Sequence, residues 1–211
     1  MKILVASDLH GKQQAREALG AAVKRFENEL DLIILCGDIT TFEGKEKALK
    51  MVQALGTELP VLAVPGNCDP PEVLDGVETA GAVNLHRKRF EKDGHVFIGY
   101  GGANSHNHYG CTSPEVGNIL EELIGNTPPE KLHFVFHMPP FCHLNSRLGN
   151  PLFLELVKKY RPQTVFSGHV HEAKGVDQSA YTMFVNPGPA AGGHFAVIEI
   201  TDEGAKVVHS E

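Results

Sequence analysis

The sequence predicts an α/β fold, and three observations carry that reading. Short apolar runs alternate with segments of helical periodicity through the first third of the chain. Each run is bounded by glycine or proline, the punctuation of buried strands. Polar residues gather at the same end of every run, the carboxyl end. Strand-helix-strand alternation is the signature of βαβ units and a parallel sheet. In such sheets ligands bind outside the carboxyl ends of the strands.

The first run, Lys2-Ile3-Leu4-Val5-Ala6, ends in Ser7-Asp8-Leu9-His10-Gly11. Over residues 13–28 the apolar positions Ala15, Leu19, Val23 and Phe26 keep helical spacing. A second strand is predicted over 31–36, ending in Gly37-Asp38-Ile39-Thr40, and a helix over 45–55. The third run, residues 60–64, leads into Pro65-Gly66-Asn67-Cys68-Asp69-Pro70. From Val83 the character changes to short strands at 83–85, 87–90 and 95–100, with Asp93-Gly94 as a hairpin turn. A glycine- and asparagine-rich loop covers 101–110. Ser113 then reads as the N-cap and Pro114 as the first position of a helix to Ile124. Residues 132–136 read as a strand ending in His137-Met138-Pro139-Pro140. A helix over 151–160 follows, then a strand over 163–166 ending in Ser167-Gly168-His169-Val170-His171. The tail supplies strands at 181–185, 194–200 and 206–208, with Asp202-Glu203-Gly204 as a turn. No internal repeat, linker or low-complexity segment interrupts the chain, so one domain over 1–211 is expected.

Composition narrows the function classes. Asp and Glu number 26 against 19 Lys and Arg, a formal net charge of -7, which argues against a broad face for duplex nucleic acid. No stretch approaches the roughly 20 apolar residues of a membrane span. No apolar signal region follows Met1-Lys2. Cys36, Cys68, Cys111 and Cys142 are scattered without a CxxC pair, which predicts reduced thiols and a cytoplasmic location. Twelve histidines and no tryptophan are the compositional oddity.

Seven metal-capable residues stand at five predicted strand ends: Asp8, His10, Asp38, Asn67, His137, His169 and His171. Residues two apart at a strand end share a face, which suits Asp8 with His10 and His169 with His171. Carboxylate, imidazole and amide donors together suit Mn, Fe, Zn or Ni better than calcium alone. The number exceeds one tetrahedral site and fits two ions sharing a carboxylate, the arrangement used for in-line displacement at phosphorus. Each residue also has an ordinary reading. Asp8 serves as a helix N-cap, Gly37-Asp38 and Pro65-Gly66-Asn67 as turns, and His137 as a strand-end histidine. The pair His169 and His171 is harder to place that way, because two buried histidines without partners cost stability. Taken jointly and in order, the ordinary readings become improbable.

In this order, Asp-x-His (Asp8, His10), Gly-Asp (Gly37, Asp38), Gly-Asn-x-Asp (Gly66, Asn67, Asp69), a lone strand-end histidine (His137) and Gly-His-x-His (Gly168, His169, His171) resemble the calcineurin-like metallophosphoesterase family. Asn186-Pro187-Gly188 resembles the family's continuation. The resemblance implies a four-layer α-β-β-α sandwich of two mixed sheets carrying two divalent metal ions, manganese foremost with iron, zinc or nickel as alternatives. It implies that Asp8, His10, Asp38 and His171 hold one ion, that Asp38, Asn67, His137 and His169 hold the other, and that Asp38 bridges. A metal-bound hydroxide would attack the phosphorus of a small phosphorylated substrate, with Asp38, Asn67, Cys68 and His137 as the catalytic set. Many members carry histidine directly after the motif's asparagine. This chain has Cys68, and a thiol is a poorer general acid than imidazolium near neutral pH. Chains with Gly-Asn-Cys-Asp are linked to phosphodiester hydrolysis with good leaving groups. Asp69 is expected to support a ligand histidine. His106 and His108, in the glycine-rich loop, are read as overhanging the metals and contacting substrate, His143 and Asn145 as lining the same cleft as His137, and Asn150 as a phosphate approach. His86, His95, His133, His194 and His209 are read as ordinary histidines.

The expected function is therefore hydrolysis of small phosphodiesters. The alternatives are a broad phosphomonoesterase, a nuclease disfavoured by the acidic charge, and a non-catalytic interaction module like the retromer subunit of this fold. Interaction proteins of that kind lose metal ligands, whereas this chain keeps seven candidates. An edge strand or the late β segments are where copies would pair in a homo-oligomer.

Overall fold

The computed structural model describes residues 1–104, 108–112, 114–144 and 148–210. The chain runs β1 (Lys2–Ala6), α1 (Gln13–Phe26), β2 (Leu32–Cys36), α2 (Lys45–Gln53), β3 (Val61–Val64), α3 (Glu72–Thr79) and β4 (Val83–Asn84). It continues through β5 (Lys88–Lys92), β6 (His95–Tyr100), α4 (Pro114–Ile124), β7 (Leu132–Phe136), α5 (Pro151–Tyr160), β8 (Thr164–Phe166), β9 (Gly175–Gln178), β10 (Met183–Asn186), β11 (Ala196–Thr201) and β12 (Gly204–Ser210). The strands form two six-stranded sheets, ordered β12-β11-β1-β2-β3-β4 and β5-β6-β7-β8-β10-β9. Strands β1 to β4 are mutually parallel, and β11 returns antiparallel to β1. In the second sheet β6, β7, β8 and β10 are parallel, flanked by antiparallel β5 and β9.

Side-chain alternation explains the layers. Ile3, Val5, Ile34, Leu62 and Val64 point between the sheets, where they meet Phe97, Val135, Phe166 and Val185. Their neighbours Leu4, Ala6, Ile33 and Leu35 point outward onto Leu19 and Val23 of α1, Met51 of α2 and Val73 and Val77 of α3. On the other side Ile98, Phe134 and Phe136 meet Leu120 of α4 and Phe153 and Leu156 of α5. Phe136 stacks on Phe153 with ring centroids 3.9 Å apart. Central strands are thus buried on both faces, which is why the sequence shows unbroken apolar runs there. This is the four-layer α-β-β-α sandwich. No helix among the described residues is long and apolar enough to cross a membrane.

Two elements escape the sequence reading. α3 begins immediately after Pro70-Pro71, where turn chemistry masks a helix that buries Val73 and Val77. β9 is exposed along its whole length, so no apolar pattern marks it. The Asp93-Gly94 turn has both residues at positive φ, 51° and 78°, as a two-residue hairpin requires. Ser113 lies outside the described residues.

At the edge where β7 begins, His133 is wholly buried. Its ring stacks on Phe97 at 4.8 Å, and its nitrogens lie 2.8 Å from the Thr164 hydroxyl and 2.9 Å from His95 Nδ1. Burial holds its pKa well below the ordinary histidine value, with His95 adding to the effect. Below about pH 6.5 the unfolded chain therefore takes up a proton that the native chain refuses. This part of the stability is complete above that pH and falls as pH drops, by up to about 1.4 kcal/mol per pH unit. Urea-unfolding midpoints between pH 7.5 and 5.5 are expected to fall less steeply in His133→Gln than in the wild type.

Candidate functional site

The loops after β1, β2, β3, β7 and β8 emerge at one edge of the sandwich. Pairing continues past the strand ends, with Asp8 N–H donating to Gly37 O (3.0 Å), His10 N–H to Asp38 O (2.8 Å) and Gly11 N–H to Ile39 O (2.9 Å). Asp8, His10, Asp38 and His169 all adopt left-handed backbone, φ 55°, 50°, 48° and 65°. Each costs on the order of 1 kcal/mol in a non-glycine residue, and such strain concentrates at functional sites. Close backbone approach also needs glycine at two places. A Cβ on Gly66 would overlap the Asp38 carboxylate, and one on Gly168 would overlap Ser7 and Asp8.

The seven residues singled out in the sequence converge here. Asp8, Asp38 and His137 are buried. His171 Nε2 lies 3.3 Å and His10 Nε2 4.0 Å from Asp8 Oδ1. His10 Nε2 is 3.9 Å from Asp38 Oδ2, and His137 Nε2 is 3.6 Å from Asp38 Oδ1. His137 Nε2 also faces Asn67 Oδ1 at 3.0 Å and His169 Nδ1 at 3.2 Å. Three overlapping groups bring potential ligand atoms within 4.8 Å of one another: Asp8 with His10 and His171, Asp8 with Asp38 and His137, and His10 with Asp38 and Cys68.

The chemistry of this set fits a divalent cation. His137 Nδ1 lies 2.7 Å from the Cys36 carbonyl, which can only accept, so the ring donates there and a neutral imidazole keeps its lone pair at Nε2. That lone pair faces the oxygens of Asn67 and Asp38, an electron-rich pocket that positive charge would stabilise. Asp8 Oδ1 is buried and faces His171 Nε2 at 3.3 Å and His10 Nε2 at 4.0 Å. Burial alone would raise the Asp8 carboxyl, but the hydrogen bond with His171 and the nearby His137 ring outweigh it and hold its pKa below the usual range. The same Asp8 contact raises His171. Burial, then His137, lowers His169 to about 4, so it is neutral and ligand-ready at neutral pH. Burial, then the Asp38 carboxylate, pushes the Cys68 thiol up to about 12.

The supporting contacts differ from the sequence expectation. Among the described residues, Asp69 hydrogen-bonds to loop backbone and to Thr40 rather than to a histidine. Wholly buried, it accepts from Gly66 N–H (2.8 Å), Ile39 N–H (3.0 Å), Thr40 N–H (2.7 Å) and the Thr40 hydroxyl (3.0 Å), tying the β2 and β3 loops together. The histidines are oriented by the Cys36 carbonyl on His137 and by the Thr41 hydroxyl, 3.2 Å from His10 Nδ1. A backbone carbonyl leaves no mark in sequence, and Thr40-Thr41 after Gly37-Asp38 is the only signal that was available for the rest.

Two residues read as substrate contacts, Asn150 and His143, make other contacts in the fold. Asn150 is buried and turned inward, capping α5 through Leu152 N–H and Phe153 N–H and donating to Cys111 O at 2.7 Å, so its side chain is committed to the fold. His143 stacks on Phe184 of β10 at 3.6 Å, and its Nδ1 lies 3.4 Å from Asp177 of β9. The phenylalanine offers a stacking face on the outer side of the sheet. His108 is exposed beside Tyr109 and lines a cavity with His86, Arg87 and Tyr100. His106 and Asn145 lie outside the described residues.

The family described as calcineurin-like phosphoesterase matches residues 1–173. The chain belongs to the calcineurin-like phosphoesterases. It is 30% identical to an uncharacterized protein of Methanocaldococcus jannaschii over 204 residues, 90% of this chain and 88% of that one. The TT1561 structure of Thermus thermophilus shares the fold with a TM-score of 0.80 at 20% identity, covering 98% of this chain and 97% of that one. A purple acid phosphatase from yellow lupin seeds shares it at 0.63 and 13% identity, over 94% of this chain and 49% of that one. Membership in the family implies a metal-binding phosphoric ester hydrolase.

Two outcomes test this geometry. Asp69→Ala leaves three buried backbone donors unpaired and is expected to cost at least about 3 kcal/mol in urea unfolding. Manganese at about 100 times its dissociation constant is expected to stabilise the protein by about 2.7 kcal/mol, read as a higher thermal midpoint than in EDTA. Asp8→Ala is expected to shrink that difference.

Proposed function

We propose that this chain is a dinuclear metal-dependent phosphodiesterase acting on small phosphodiesters, a single domain over 1–211 with manganese as its resident ion. The observation that supports it is the placement of Asp38. Its two oxygens face different histidines, Oδ2 toward His10 at 3.9 Å and Oδ1 toward His137 at 3.6 Å, the posture of a carboxylate shared by two ions. Asp8, His10 and His171 would complete one half, and Asn67, His137 and His169 the other. When bound, a metal pair supplies a lowered water pKa and neutralises phosphoryl charge. The chain itself presents the donors, fixes the histidine orientations through Cys36 and Thr41, and holds the loops in register through Asp69.

Cys68 selects diesters in this reading. Its thiol, with a pKa of about 12, keeps its proton through the neutral range beside Asp38, so it assists a departing alkoxide poorly. Activated or diester substrates need that help least. A broad phosphomonoesterase is the alternative. We place the enzyme in the cytoplasm, as a protein with no duplex nucleic acid or membrane partner and with scope for homo-oligomers along an edge strand.

With manganese loaded, the wild type is expected to turn over bis-p-nitrophenyl phosphate faster than alkyl monoesters. Asp38→Asn is expected to lower kcat/KM by about a hundredfold or more. Cys68→His is expected to raise alkyl monoester turnover by roughly tenfold or more. If Cys68→His and Cys68→Ala both leave every rate untouched, the cysteine has no part in specificity. A metal-loaded protein inert toward bis-p-nitrophenyl and p-nitrophenyl phosphates would instead favour the interaction module.

A further inference from the structure

We infer that Phe42 is the platform on which a planar aromatic group of the substrate stacks, so that the site takes phosphodiesters whose non-leaving substituent is aryl or nucleobase-like. This rests on the phosphodiesterase reading above and goes beyond it by naming the substituent and its contact. Phe42 is 69% exposed, the most exposed large hydrophobic residue among those described. Its backbone is left-handed at φ 56°, an outlier for a bulky side chain and a conformation that glycine adopts freely. An exposed phenylalanine in strained backbone serves neither the core nor the turn.

Its position supplies the missing reason. Phe42 N–H donates to Cys68 O at 2.8 Å, so it is fastened to the residue beside Asp38. The preceding Thr41 reaches the Nδ1 of His10, and Thr40 before it is wholly buried on Asp69. The loop is therefore anchored up to Thr41, and α2 begins only at Lys45. Thr41 and Phe42 are the exposed residues with which the loop leaves the buried Thr40; Phe42 alone of the two carries an aromatic face, and its backbone is fastened to Cys68 of the ligand cluster. Aromatic faces held beside an anion-binding centre accept bases and aryl groups by stacking, with tolerance for their identity.

The test compares bis-p-nitrophenyl phosphate with methyl p-nitrophenyl phosphate, which share a leaving group and differ only in the other substituent. The wild type is expected to prefer the aryl diester in kcat/KM. Phe42→Ala is expected to reduce that ratio by roughly tenfold, and Phe42→Tyr to keep it. The chain has no tryptophan, so Phe42→Trp introduces a single reporter at this position. Its emission is expected to be quenched by p-nitrobenzylphosphonate, which has no ester to hydrolyse, at concentrations where methylphosphonate has no effect. Phe42→Gly is expected to raise the unfolding midpoint by relieving the backbone while losing the aryl preference. A ratio unchanged in Phe42→Ala, unquenched emission, or earlier unfolding of Phe42→Gly would each overturn the inference. Failure of the wild type to hydrolyse either ester would instead remove the phosphodiesterase reading, and the quenching would still report on Phe42.

Discussion

Among the hydrogen bonds that cross the sandwich at its functional edge, the shortest side-chain link runs from the His137 ring at the end of β7 to the Cys36 carbonyl at the end of β2, at 2.7 Å. It joins the two sheets where their interface core ends. It also spends the Nδ1 hydrogen of the ring on backbone, which leaves Nε2 aimed at Asp38, Asn67 and His169. The Asp8 and Asp38 carboxylates come from the first sheet, and His137, His169 and His171 from the loops of the second. The arrangement therefore exists only while the sheets keep their separation and register. That register is set by Val64, Cys36, Val135 and Phe166 packing between them. Packing energy in the core is thereby converted into positional accuracy at the edge.

The same edge concentrates cost. Four left-handed residues and the buried carboxylates of Asp8, Asp38 and Asp69 all oppose folding. The compensation is local and specific. Asp69 gathers three backbone N–H groups and a hydroxyl, and the Asp38 carboxylate receives the Cys68 N–H at 2.8 Å while Asp8 receives the His169 N–H at 3.1 Å. Backbone N–H groups hold these carboxylates in place without adding a formal positive charge beside them. The opposite edge follows another rule, with burial first and the nearby Lys131 after it lowering both His95 and His133.

The fold was legible where burial writes a pattern. Central strands covered on both faces gave continuous apolar runs, and Asp93-Gly94 declared its hairpin through the φ values that only certain residues accept. β9 was not legible because nothing covers it, and α3 was not because Pro70-Pro71 looks like a turn from either side. In the site, the seven residues were legible because strand ends place them by topology. The roles of Asp69, Asn150 and His143 were not, because each is decided by contacts among residues distant in sequence. Asp69 reaches residues 39 and 40, Asn150 reaches Cys111, and His143 reaches Asp177 and Phe184. Loops displace such side chains by whole strand widths without any change in the local sequence signal.

Position 68 shows how such an edge separates what is fixed from what is free. The Cys68 N–H holds Asp38 and the Cys68 carbonyl receives the Phe42 N–H, so the backbone there is committed twice to the site. Neither bond involves the side chain, whose thiol sits beside the Asp38 carboxylate and 3.4 Å from the Asn67 amide. A different side chain at 68 would leave the carboxylate and the adjoining loop where they are. Selection for leaving-group chemistry can therefore act on that side chain without disturbing the ligand cluster. The exposed ring of Phe42, fastened to the same residue, stands in the same relation to the fold.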